Sequence, residues 1–143
     1  IRKGTLTVEI RRELLSRHPA ELGRLEIALR EQGHGLLLEC VGLADGALLR
    51  QHARSLTHIK LDPTLIHGLA AGEVDESDVG ALIRIARHHG LEAIALAVDG
   101  ANVLPHLFAL GVDAIQGYFV SKPNEDPVYP DAFSVDMELM PKP

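Results

Sequence analysis

At 143 residues, with 46% hydrophobic and 24% charged side chains, the chain is long enough for one domain with a buried core, and it falls outside the disordered, collagenous and low-complexity classes. Twenty acidic against 14 basic residues leave a formal charge of −6, which argues against sequence-blind binding to nucleic-acid polymers. There is neither a membrane-length apolar run nor a secretory leader, and the single cysteine, Cys40, suits a reducing compartment, so a cytoplasmic domain without membrane contact is expected.

In chain order the pattern alternates short strands with amphipathic helices. Leu6–Ile10 alternates as a strand, and Pro19–Gln32 carries Leu22, Leu25, Ile27, Ala28 and Leu29 at helical spacing before Gly33. Leu36 to Leu38 is a continuous apolar run, as in a strand covered on both faces. Gly46–Ser55 reads as a short helix and Thr57–Leu61 as a third strand, followed by Asp62-Pro63, an N-cap with proline at the first helical position. Leu65–Ala71 is a helix stopped by Gly72, and Glu73–Asp78 opens another that closes at His88-His89-Gly90. Ala93–Val98 is a fourth strand, Asn102–Leu110 a helix ended by Gly111, and Ala114–Gly117 a fifth strand. Beyond Lys122, three prolines break regular structure, with Val135–Leu139 as a terminal strand or arm.

All five aromatic residues (Phe108, Tyr118, Phe119, Tyr129, Phe133) lie in the last quarter, so the rest packs with aliphatic residues alone. That suits β/α layers and offers no stacking platform for single-stranded nucleic acid. Five strands separated by helices require a parallel sheet. It is either an open doubly wound sheet or part of a (β/α)8 barrel, since a whole barrel needs about 250 residues.

In both, ligands bind beyond the carboxyl ends of the strands. The polar residues expected at those ends are Glu9 after the first strand, Glu39 and Cys40 after the second, Lys60 with Asp62 after the third, Asp99 after the fourth, and Gln116 with Tyr118 after the fifth. One such residue usually caps a helix or solvates a loop; five strands supplying one rim are harder to dismiss. No dinucleotide fingerprint, P-loop, nucleophile elbow or zinc-protease motif is present. His88 and His89 suit a solvated helix C-terminus, and Cys40 is expected to be a small buried hydrophobe at a strand end.

The succession LTVEI, LLLECVG, LTHIKLDPTLI, LEAIALAVDG and GVDAIQGYFVSKP resembles the later part of the EAL domain, from about Leu6 to Pro123. The closing run Ile115-Gln116-Gly117-Tyr118 with Ser121-Lys122-Pro123 is the most specific piece, and Lys60-Leu61-Asp62 matches the family's K-I-D. The resemblance implies an α/β fold, a (β/α)8 TIM-like barrel of which this chain supplies about five β/α units. Residues 1–123 are then the C-terminal part of a degenerate EAL-like domain, and 124–143 a Pro-rich acidic tail packing on or near the barrel. Active members linearise cyclic di-GMP with divalent metals.

Departures from the family pattern shape the functional expectation. Glu9 keeps the first acid of E-I-x-E while Arg12 stands at the second; D-D-F-G stands as Glu39-Cys40-Val41-Gly42; A-E-G-V-E stands as Ala95-Leu96-Ala97-Val98-Asp99. A two-metal site needs a dense oxygen shell, and Leu96 and Cys40 each remove a carboxylate, while Arg12 adds charge that opposes cations. The resemblance therefore implies no catalytic or metal-binding residues and a cyclic di-GMP receptor or scaffold. Glu9, Glu39, Lys60, Asp99, Gln116, Gly117 and Pro123 would hold the nucleotide. The texture is similar to twitching-motility-type receptors, which implies a PilZ-type adaptor as partner, and an open sheet edge invites a homodimer. The alternatives are a weak phosphodiesterase, with magnesium or manganese as cofactor, or an interaction module that no longer binds nucleotide.

Overall fold

In the computed structural model, which describes residues 6–120, five strands run parallel in one sheet: β1 (Thr7–Arg11), β2 (Gly35–Val41), β3 (His58–Leu61), β4 (Glu92–Leu96) and β5 (Ala114–Gln116). Each pairs with the next in chain order, without reversal. A doubly wound sheet reverses its order at a switch point, whereas a barrel lays each strand beside the last. The sheet is therefore an arc of a barrel. Pro123, the Pro-rich tail and Val135–Leu139 lie outside the described residues.

The crossovers are α1 (Arg12–Arg17), α2 (Pro19–Glu31), α3 (Gly46–His52), α4 (Pro63–Ala71), α5 (Glu76–His88) and α6 (Leu104–Leu110). Their ends follow from local chemistry. Asp62 Oδ1 accepts from Thr64 N at 2.8 Å with Pro63 next to it, which starts α4, and Gly72 at φ 70° stops it. Asp75 accepts from Ser77 N in the same way, so α5 begins at Glu76 rather than at Glu73. The sequence pattern misses α1, whose RELLSR run has too few apolar positions to show a period. It also carries the fourth strand two residues too far, because Ala97 leaves β conformation at φ 58°.

Side chains alternate across the arc. Ile10, Leu38, Ile59, Leu61, Ala93 and Ala95 are buried in one cluster with Leu22, Leu49, Ile83 and Leu107 from the helices. Each leucine-sized side chain so covered contributes about 1.5–3 kcal/mol. The opposite face holds Glu9, Arg11, Glu39 and Lys60, together with Leu37, which is buried outside that cluster. As expected, all of Leu36, Leu37 and Leu38 are buried. The polar stripe of the strands thus runs along the concave face of the arc, toward the carboxyl ends.

Candidate functional site

The period of two places Glu9 on β1, Glu39 on β2 and Lys60 on β3 on the same face. Lys60 is buried and its Nζ reaches across β2 to donate to Glu9 Oε1. The Glu9 carboxyl is held below its ordinary range, first by that hydrogen bond; burial offsets part of this, and the neighbouring Glu39 carboxyl and the Lys60 charge add to the lowering. The family resemblance implies that Lys60 is free to help hold the nucleotide. In the structure it is already paired with an acid.

Beside this pair, a hollow of about 310 Å³ is lined by Arg11, Arg12, Glu13, Glu39, Cys40 and Asp62. Cys40 corrects the expectation of a buried thiol: it is exposed, at φ 55°. The register of β2 against β3 slips between Leu38 and Val41, and this bulge turns the residue out of the sheet. Arg12 is also redirected. Its Nη1 lies 3.2 Å from Asp45 Oδ1, and buried Asp45 accepts a second hydrogen bond from Gly42 N at 2.8 Å. The Arg12 charge is therefore paired locally, not free to repel a cation.

A second hollow of about 280 Å³ lies at the ends of β4 and β5, lined by Leu96, Ala97, Asp99, Gln116, Gly117 and Tyr118. Gly117 is there because nothing larger fits: a Cβ would stand 2.3 Å from Val98 O and 2.4 Å from Val98 N. That contact, with the Val98 N to Gln116 O bond at 3.1 Å, joins the exits of β4 and β5. Asp99 is half-exposed, with His67 Nε2 of α4 at 3.8 Å from its Oδ2. The predicted set is therefore divided: Glu9, Glu39 and Lys60 form one group, Asp99, Gln116 and Gly117 another.

Three residues at or beside these hollows, Arg11, Glu13 and His67, lie outside the predicted set. Arg11 follows from period two, since it shares Glu9's face, but its position past the apolar alternation hides it. His67 carries no sequence signal, because only the packing of α4 beside the β4 exit brings it to Asp99. Among the described residues, no three His, Cys, Asp or Glu side chains converge as metal ligands, Glu9 is tied to Lys60, and Leu96 offers no oxygen.

An arc of a (β/α)8 barrel with its polar groups at the strand exits defines the class of this molecule. The EAL domain model matches residues 1–123, and the chain belongs to the EAL domain family. It is 27% identical over 118 residues to the oxygen sensor protein DosP of Escherichia coli, covering 82% of this chain and 15% of that one. It is 25% identical over 120 residues to the cyclic di-GMP phosphodiesterase PA2567 of Pseudomonas aeruginosa, covering 84% and 20%. Among solved structures, the Xanthomonas citri FimX EAL domain in complex with c-diGMP superposes with a TM-score of 0.71 at 22% identity, covering 82% of this chain and 46% of that one. The chain thus spans a minor part of each relative's length. Among the described residues, no helix is long and apolar enough to cross a membrane.

Proposed function

We propose that this chain is the later part of a degenerate EAL domain that binds cyclic di-GMP without hydrolysing it and relays the signal through protein contacts. The observation that carries the reading is Leu96, an aliphatic side chain lining the β4–β5 hollow beside Asp99 and Gln116. The hollow keeps groups that recognise a base and lacks one that would grip a metal. Asp99 supplies acceptors and the Gln116 amide both a donor and an acceptor, a set that complements a guanine edge. Tyr118, well exposed beside them, presents a ring on which a base can stack. The Lys60–Glu9 pair supports the same reading, since an acid committed to an ammonium is a poor cation ligand.

The test combines calorimetry with cyclic di-GMP and a linearisation assay in magnesium or manganese, on the purified protein that carries this chain. Saturable binding is expected, weakened about tenfold or more by Asp99→Ala or Gln116→Ala, with no linear product. Metal-dependent linearisation abolished by Glu9→Ala would overturn the non-catalytic reading. Absence of heat at high micromolar nucleotide would overturn the receptor reading in favour of an interaction module.

A further inference from the structure

On the outer surface, away from the strand exits, α3 and α5 pack side by side and leave a shallow groove of about 420 Å³ between them. Arg50 of α3 lines one wall; Arg84 and His88 of α5, with His89 just past its end, line the other, and Ala81 and Ile85 form the floor. His88 and His89 are adjacent in sequence, yet both reach the groove because His89 leaves the helix as its C-cap. Their rings meet edge to face at 5.1 Å. None of the four cationic or titratable groups has an acidic partner among the described residues.

The clustering runs against the charge of the whole molecule, which is −6. Neither Gly46–Ser55 nor Val79–Leu91 contains an Asp or Glu, although the chain has 20 of them. The acids of α5 are confined to its first turn, at Glu76 and Asp78. The preference of a helix C-terminus for cations accounts for residues in the last turn of α5. It does not account for Arg84 in mid-helix, or for Arg50 on another helix. What remains is a basic surface facing outward over a small apolar floor.

We propose that this groove docks an acidic segment of a partner protein, with carboxylates on Arg50 and Arg84 and an aliphatic side chain on Ala81 and Ile85. Arginines suit this role because the planar guanidinium takes a carboxylate through two parallel hydrogen bonds. The groove is open along one side, with five of its six lining residues exposed, a shape that admits an extended chain rather than enclosing a small molecule. The proposal is independent of nucleotide binding and of the strand-end hollows.

The probe is a fluorescein-labelled peptide of glutamates around one central leucine, titrated into the purified protein by anisotropy and mapped by amide chemical shifts. Saturable binding is expected, with shifts on α3 and the second half of α5. Arg50→Glu with Arg84→Glu should weaken it about tenfold. Arg17→Glu with Arg24→Glu, the same charge change on α1 and α2, should alter it less than about twofold. Replacing the peptide's leucine by serine should weaken it severalfold, a readout independent of any protein variant. Equal loss in both double variants, or shifts confined to the strand exits, would refute the site. Tighter binding of a single-stranded oligonucleotide of equal charge, or self-association abolished by Arg50→Glu with Arg84→Glu in place of peptide binding, would assign the groove to another occupant and equally overturn the proposal.

Discussion

Replacing Glu9 by Gln should cost more stability than replacing Lys60 by Met, although both remove the same ion pair. The Lys60 side chain is 9% exposed and that of Glu9 41%. Glu9→Gln leaves a nearly dry ammonium without its partner, whereas Lys60→Met leaves a carboxylate that water already reaches. Breaking a fully buried pair costs about 3–5 kcal/mol, and an exposed pair about 0–1 kcal/mol. This pair lies between the two, since Lys60 is buried and Glu9 is partly open to water. The expected cost of Glu9→Gln is therefore about 1–2 kcal/mol, seen as a fall of about 0.5–1 M in the urea midpoint. Lys60→Met fills the same space with an apolar side chain and should stay within about 0.5 kcal/mol of the wild type.

The pH dependence of the Glu9 pair has a definite sign. Because the folded Glu9 pKa lies below its unfolded value, its contribution is complete above the unfolded pKa and is lost as pH falls through the folded one. The gap between wild type and Glu9→Gln should thus be full at neutral pH and shrink below about pH 4.5. A midpoint unmoved by Glu9→Gln, with a large fall for Lys60→Met, would refute the reasoning and make Lys60 a packing residue.

Backbone strain and close approach at the β4 exit give two further expectations. Ala97 stands at φ 58°, where an L side chain is disfavoured by about 1–2 kcal/mol. Ala97→Gly should raise stability by about 0.5–1 kcal/mol after the greater freedom of unfolded glycine is subtracted, read as a higher midpoint in urea. At Gly117 the opposite change is prohibitive: Gly117→Ala drives a methyl into the Val98 backbone at 2.3 Å. A loss of about 2–3 kcal/mol is expected, together with weakened cyclic di-GMP binding in calorimetry, since the β4 and β5 exits must separate to relieve the clash.

Much of the fold is legible in the sequence because short-range chemistry writes it. Asp62-Pro63 starts a helix and Gly72 and Gly111 stop two, through caps that need no tertiary partner. The aliphatic run Leu36 to Leu38 marks a strand covered on both faces by its composition alone. The site is less legible. Listing strand-end residues finds Glu9, Glu39, Lys60, Asp99 and Gln116, but period and spacing are one-dimensional and cannot say which of them meet.

What the sequence by itself determined is the β/α rhythm, most element boundaries and, through its motifs, membership of the EAL family. Three matters rested on tertiary structure. Strand order made the sheet a barrel arc rather than a doubly wound one, because neighbours in a sheet are chosen by long-range pairing. A bulge in β2 exposed Cys40 against its hydrophobic character, because one extra residue in a strand reverses which way its side chains point. The meeting of Lys60 with Glu9, and the groove that Arg50 and Arg84 both line, bring together residues far apart in the chain. Charge and hydrogen bonding act through space, and only the fold sets those distances.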